Sequence, residues 1–204
     1  MHFYLLFYKG IRTKIAELVN LMTRKINICV FCGSREGNNQ AFRSTAIATG
    51  NQIGKRGWRL VYGGGGVGLM GLVANSTMEA GGDTLGIIPE FLSLREAGHT
   101  DLDDLIITSG MHERKQIMYS FADAFIALPG GVGTLDETIE ILTWKQLERH
   151  KKPIILIDTN NFWRAFLAVL ANSIETGFMD KSIYELLEIA PDVETAFKII
   201  ETHK

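Results

Sequence analysis

Cysteine is scarce in this chain. Two residues among 204, Cys29 and Cys32, cannot build a disulfide framework, so a reduced, cytoplasmic protein is expected. An excess of one charge is also missing. Against 23 Asp and Glu stand 21 Lys and Arg, a formal net charge of −2, which removes the electrostatic reason to expect nucleic acid as a partner. No apolar run reaches the roughly 20 residues that span a bilayer. The five histidines are scattered, and no His/Cys/Asp/Glu spacing reads as a metal site. Neither glycine-rich loop is followed by the Lys-Ser/Thr pair of an NTPase phosphate loop. No G-x-S-x-G elbow surrounds Ser34. Repeats, low-complexity tracts and linkers are absent, and 204 residues suit one α/β domain with a proper core.

The two cysteines form C-x-x-C. A redox pair needs its first Cys at a helix N-terminus, whereas Ile26 to Cys32 reads as a buried strand. Residues three apart on a strand point to opposite faces, so both read as small core residues.

Residues 1–25 differ from the rest. A short apolar run, Phe3 to Tyr8, precedes Ile11, Ile15, Leu18, Val19 and Met22 at helical spacing, among Lys9, Arg12, Lys14, Arg24 and Lys25. This predicts an amphipathic extension packed on the domain or on a second subunit. A signal peptide fits poorly, because the charge follows the apolar run and no small-residue cleavage site appears, and a membrane-surface helix is a second option. Met22 is an alternative translation start.

From residue 26 to 204 the rhythm is strand, Gly-rich turn, helix, repeated. Strands are expected at 26–32, 58–62, 84–88, 105–108, 124–128, 153–157 and 186–190. Helices are expected at 40–55, 67–80, 111–122, 135–147 and onward to about 150, and 162–175. Gly177 is expected as a left-handed cap of the last of these, and Pro191 as the start of a C-terminal helix. Apolar strands alternating with helices predict an α/β fold: a single doubly wound, Rossmann-like domain whose central parallel sheet is flanked by helices. Ligands in such sheets bind beyond the carboxyl ends of the strands.

Three stretches can carry chemistry. The first is Gly63 to Gly71, which contains G-x-G-x-x-G between a strand and a helix. An NAD-dependent oxidoreductase is one reading, with Glu90 as the nearest ribose-binding acid. The cluster follows the second strand rather than the first, which argues against it, and close helix–strand packing is the plainer account. The second is Met111-His112-Glu113-Arg114-Lys115. Cations in a first helical turn oppose the macrodipole. A local rule broken without structural gain points to function. A solvated pair offset by Glu113 is the plain alternative. The third is Pro129-Gly130-Gly131-Val132-Gly133-Thr134-Leu135-Asp136-Glu137, at a strand-to-helix junction. Its backbone N–H groups suit an anion, and Glu137 stands one turn away. Thr134-x-x-Glu137 is also a capping box, which needs no function.

The MHERK and PGGVGTLDE segments together resemble the Lonely Guy family of cytokinin-activating phosphoribohydrolases, once labelled lysine decarboxylase-like. The family's PGGxGTxxE motif is matched at every fixed position from Pro129 to Glu137, and Phe31-Cys32-Gly33-Ser34 and Tyr62-Gly63-Gly64-Gly65 are similar to it as well. The likeness covers roughly residues 26 to 200. It implies hydrolysis of the N-glycosidic bond of nucleoside 5′-monophosphates, cytokinin ribotides and AMP, to free base and ribose 5-phosphate. It implies no metal, no organic cofactor and a homodimer or larger homo-oligomer. On it, Arg114 and Glu137 are the catalytic pair. Lys115 and the stretch Gly130, Gly131, Val132, Gly133, Thr134, Leu135 and Asp136 bind substrate, as do Glu96 and Thr143. Ser34, Gly64 and Gly65 are further candidates for phosphate or ribose contacts. The sequence departs from the family around Leu94-Arg95-Glu96-Ala97. A nucleotide-binding module without turnover is the alternative.

Overall fold

Strand residues apolar on both faces need cover on both faces, and the chain supplies it by crossing from side to side. The computed structural model describes residues 25–93 and 103–203. In chain order the elements are β1 (Asn27–Phe31), α1 (Gln40–Lys55), β2 (Arg59–Tyr62), α2 (Gly68–Glu79), β3 (Asp83–Pro89) and the one-turn α3 (Glu90–Ser93). They continue with β4 (Asp104–Thr108), α4 (Met111–Phe121), β5 (Ala124–Ala127), α5 (Val132–Gln146), β6 (Ile154–Ile157), α6 (Arg164–Glu175), β7 (Glu188–Ala190) and α7 (Val193–Thr202). Short 3-10 turns at Thr159–Asn161 and Lys181–Glu185 complete them.

All seven strands join one sheet, ordered β4-β3-β2-β1-β5-β6-β7, and every pairing is parallel. Side chains alternate along each strand. Ile28, Val30, Ala124, Ile126, Ile155 and Ile157 therefore face the layer with Val73, Phe197 and Ile200. Cys29, Phe31, Phe125, Ala127, Ile154 and Leu156 face the layer with Met118, Ile141 and Trp163. The doubly wound expectation holds. Cys29 and Cys32 lie in opposite layers, both buried and unpaired, so the C-x-x-C is a core feature and not a redox pair.

Several helix starts differ from the sequence reading, and at two of them the caps show why. α5 begins at Val132, not Leu135, because Gly131 is extended and serves as its N-cap. α7 begins at Val193, not at Pro191. Asp192 is the N-cap there and accepts from Thr195 N at 2.8 Å, a side-chain cap that outweighs proline's preference for the first position. Gly177 is left-handed, φ 82°, and closes α6: Phe178 N donates to Ser173 O and Gly177 N to Ile174 O. Among the described residues no helix is long and apolar enough to cross a membrane. The extension at 1–24 and the 94–102 stretch, with Arg95, Glu96 and His99, lie outside the described residues.

Candidate active site

A parallel sheet that winds one way from its first strand and later the other way leaves a crevice where the direction reverses. Here β1 sits between β2 and β5, so the reversal falls between the loops that follow β1 and β5. A cavity of about 590 Å³ opens there. Its walls are Cys32 to Gly37 from the loop after β1, Pro129 to Thr134 from the turn after β5, Leu69 and Met70 of α2, Met111 and Arg114 of α4, and Glu137 of α5. Phe42 and Phe162 close an apolar side as an edge-to-face pair with centroids 6.0 Å apart.

The turn after β5 is shaped by its glycines. A Cβ on Gly130 would lie 2.1 Å from Thr134 Oγ1 and 2.9 Å from Gly33 N, so only glycine lets the buried Thr134 hydroxyl and the neighbouring loop close on this turn. Gly33 N donates to Pro129 O at 3.1 Å, tying the two loops together. Gly131 as N-cap offers no side chain to the first amides of α5. Among the described residues nothing accepts the N–H groups of Val132, Gly133 or Thr134. The N-terminus of α2 is different: Leu69 N and Met70 N donate to Gly33 O at 3.0 and 3.4 Å. Unlike the start of α2, the start of α5 is therefore open to an anion.

Glu137 and Arg114 meet in the same cavity. Thr134 is the third residue of α5, not its cap, and no side chain accepts from its N–H. The capping-box reading of Thr134-x-x-Glu137 therefore fails. The Glu137 carboxylate is buried instead, with Oε1 3.5 Å from Arg114 Nη1. That is an ion pair longer than a good hydrogen bond, so both groups keep lone pairs or protons for a ligand. Arg114 is anchored by its Nε, which donates to Ile87 O at 3.0 Å. Space for the guanidinium comes from Gly63, where a Cβ would lie 2.0 Å from Arg114 Nη2. The exposed Glu113 accepts from Ser109 N and Oγ and so supplies the acidic group that the start of α4 otherwise lacks.

Burial pushes the Glu137 carboxyl up to about 7, against the pull of the Arg114 guanidinium and with a further push from Asp136. A carboxyl poised near neutrality is suited to taking and giving a proton. Burial also pushes the thiols of Cys29 and Cys32 well up, so neither is a nucleophile.

The remaining sequence candidates fall in different places. Ser34 and Gly130, Gly131, Val132, Gly133 and Thr134 line the cavity. Lys115 does not: it bridges Asp136 at 3.0 Å and Glu140 at 3.2 Å, strapping α4 to α5 beside the Arg114–Glu137 pair. Leu135 and Thr143 line a separate apolar groove between α5 and α6. Gly64 and Gly65 are absent from the cavity lining. Gly64 is left-handed at φ 77°, and a Cβ there would press on Ile88 and Ile87. A Cβ on Gly71 would strike Gly66 O at 2.3 Å. This glycine cluster therefore serves packing and the placement of Arg114, not a dinucleotide. Several contributors escaped the sequence reading, among them Phe42 and Phe162. The Ile87 carbonyl has no sequence signal, and the role of Gly63 was hidden inside a motif that resembled a dinucleotide-binding fingerprint. Among the described residues no cluster of metal-ligating side chains occurs.

Comparison with known proteins finds several similar chains. The family model described as "Possible lysine decarboxylase" matches residues 70–200. Cytokinin riboside 5′-monophosphate phosphoribohydrolase LOG of Oryza sativa subsp. japonica is 43% identical over 164 residues, 80% of this chain and 68% of that one. The cytokinin riboside 5′-monophosphate phosphoribohydrolase of Rhodococcoides fascians is 39% identical over 177 residues, 86% of this chain and 89% of that one. Among solved structures, the molybdenum cofactor binding protein from Rippkaea orientalis superposes with a TM-score of 0.67 at 26% identity, covering 89% of this chain and 98% of that one.

Proposed function

The chain belongs to the Lonely Guy family of cytokinin riboside 5′-monophosphate phosphoribohydrolases, and from that membership we propose how its residues divide the work. The protein is an enzyme that hydrolyses the N-glycosidic bond of a nucleotide, releasing free base and ribose 5-phosphate. In our reading AMP and cytokinin ribotides are substrates, and Arg114 and Glu137 are the catalytic pair. The observation that carries it is one cavity holding three uncommitted α5 amides and a buried carboxylate 3.5 Å from a buried guanidinium.

The 5′-phosphate binds at the amides of Val132, Gly133 and Thr134, with Ser34 on the facing loop. The helix dipole and the charge-free turn favour it there. This anchors the ribose with C1′ toward Glu137 and the base toward Phe42, Phe162 and Met111, the apolar and aromatic side of the cavity. Cleavage passes through an oxocarbenium-like ribose. The C1′–N bond breaks, the base leaves with the bonding pair and takes up a proton from solvent, a water oxygen bonds to C1′, and the proton that water loses is returned to solvent through Glu137. Glu137 in its ionised form stabilises the cationic ribose and accepts the proton of that water. Arg114 holds the carboxylate in place and donates to the ribose or the departing base. Phosphate binding remote from C1′ positions the sugar, so its binding energy lowers the barrier.

The deciding experiment is incubation with a panel of nucleoside 5′-monophosphates and chromatography of the products. Free base together with ribose 5-phosphate from AMP is expected. Tight AMP binding with no release of base from any member would leave a binding module, and the hydrolase reading would fall.

We also assign the reaction to the cytoplasm, in keeping with the two free cysteines, and we assign the enzyme a homodimeric state. Support for the dimer comes from the apolar groove between α5 and α6, flanked by the exposed Ile139 and Val169. A second copy packed there would meet Leu135 and Thr143, which the cavity does not use. Light scattering is expected to give twice the chain mass, and Ile139→Asp is expected to shift it toward the monomer. A wild-type monomer at micromolar concentration excludes the dimer.

A further inference from the structure

The charges at the cavity do not balance a bound phosphate. Among the described residues four charged side chains line it: Arg35, Glu36, Arg114 and Glu137. Glu36 is paired with Arg43. Arg114 is engaged by Ile87 O and Glu137. Arg35, by contrast, has no hydrogen bond or ion pair among the described residues. A long cation on a loop, exposed and without a partner, is ordinarily a solvated surface group. Arg35 differs in that its loop is fixed against the phosphate turn. Gly33 N donates to Pro129 O at 3.1 Å and Gly33 O accepts from Leu69 N. A Cβ on Gly33 would lie 2.8 Å from Arg35 O and 3.4 Å from Gly130 Cα. On the far side of the same loop, Asn39 caps α1 by accepting from Ala41 N at 2.9 Å.

The consequence is electrostatic. The Glu36–Arg43 pair cancels, and so does Arg114 with ionised Glu137. A nucleoside 5′-monophosphate brings a phosphate of charge between −1 and −2 into a cavity whose amides are neutral. Among the described residues Arg35 is the uncommitted cation there to meet it. We propose that Arg35 is the specificity-determining residue that makes the enzyme select 5′-monophosphates over nucleosides, its guanidinium closing on the phosphate seated at the start of α5. Guanidinium suits this task because its planar fork meets two phosphate oxygens at once. A nucleoside offers nothing to that fork, so the discrimination resides in Arg35 and not in the catalytic pair.

The inference rests on the phosphoribohydrolase reading, and its test separates the two. Steady-state kinetics with AMP and with adenosine are compared for wild type, Arg35→Gln and Arg35→Lys. Binding of ribose 5-phosphate is measured in parallel by calorimetry. Arg35→Gln is expected to lower kcat/KM for AMP at least tenfold. The preference for AMP over adenosine should shrink by the same factor, and Arg35→Lys should recover only part of it. A kcat/KM for AMP within twofold of wild type, or an equal loss on AMP and adenosine, would overturn the proposal. If no monophosphate is hydrolysed at all, ribose 5-phosphate still decides. Weakening of at least tenfold in Arg35→Gln upholds Arg35 while the hydrolase reading fails. Unchanged binding removes Arg35 whatever the activity.

Discussion

Glu137→Gln is expected to abolish release of base from AMP, a loss of about a thousandfold or more, while making the protein more stable at neutral pH. The first half follows from the chemistry: a positioned acid–base group contributes roughly 10²–10⁴-fold, and the amide can neither take the proton of water nor carry charge toward C1′. The second half follows from linkage. In the fold the carboxyl is pushed up to about 7 from the usual 4.5, so folding favours its neutral form. Wild type is undisturbed below about pH 4.5, where both folded and unfolded chains are protonated. Between there and about pH 7 the unfolded chain ionises and the folded one resists, so stability falls as pH rises. Above pH 7 the cost levels off at up to about 3 kcal/mol, at about 1.36 kcal/mol for each tenfold change in proton affinity. Glutamine matches the neutral form and carries no such slope. Denaturant unfolding at pH 5 and pH 8 therefore should show little difference between the proteins at pH 5 and a clear advantage for the variant at pH 8. The same ionisation sets the acid limb of kcat/KM for wild type near pH 7, with activity rising as Glu137 deprotonates. A variant equally offset at both pH values would show that Glu137 carries no buried charge.

Removing the other half of the pair has the opposite effect on stability. Arg114→Ala leaves the Ile87 carbonyl without the Nε donor that now reaches it at 3.0 Å, and an unsatisfied buried acceptor costs about 1–3 kcal/mol. It also strips Glu137 of the guanidinium that lies 3.5 Å from it, so the acid limb should move above pH 7 as activity falls by about two orders of magnitude or more. Arg114→Lys is expected to recover little, since an ammonium cannot hold Ile87 O and lie beside Glu137 at once. Gly63→Ala tests the same placement without deleting the charge. Its Cβ would occupy the position of Arg114 Nη2, the mobile end of a side chain, so the arginine should swing away while the backbone stays. Activity should drop at least tenfold with stability within about 1 kcal/mol of wild type. The double variant Arg114→Ala/Glu137→Gln should lose far less than the product of the single losses, because the two groups act as a unit. Full additivity would separate them.

The relation between these two residues shows where reading a sequence stops. The unbroken apolar run of Ile28, Cys29, Val30 and Phe31 dictates a strand buried on both faces, and with the intervening helical repeats it dictates a parallel α/β sheet. Those are local rules, and they sufficed for every strand. The glycines around Pro129 likewise declare a turn that feeds a helix. At Gly63 to Gly71 the same local rules misled, because a glycine left bare for ligand and one left bare for a neighbouring side chain look identical along the chain. Only the packed structure distinguishes Gly63, which makes room for Arg114, from Gly130, which makes room for Thr134.

The sequence by itself determined the architecture, the phosphate-shaped turn and the identity of a carboxylate and a cation able to do chemistry, since each is written in spacing that neighbouring residues enforce. Tertiary structure decided what those groups are. Thr134-x-x-Glu137 satisfies the capping pattern, yet α5 starts at Val132, and the carboxylate turns inward to an arginine from another helix. It is the sheet order that places the carboxyl end of β5 beside β1 and carries α4 to the same edge. Burial, which no single residue encodes, then raises the Glu137 carboxyl to about 7, because desolvation is a property of everything packed around it.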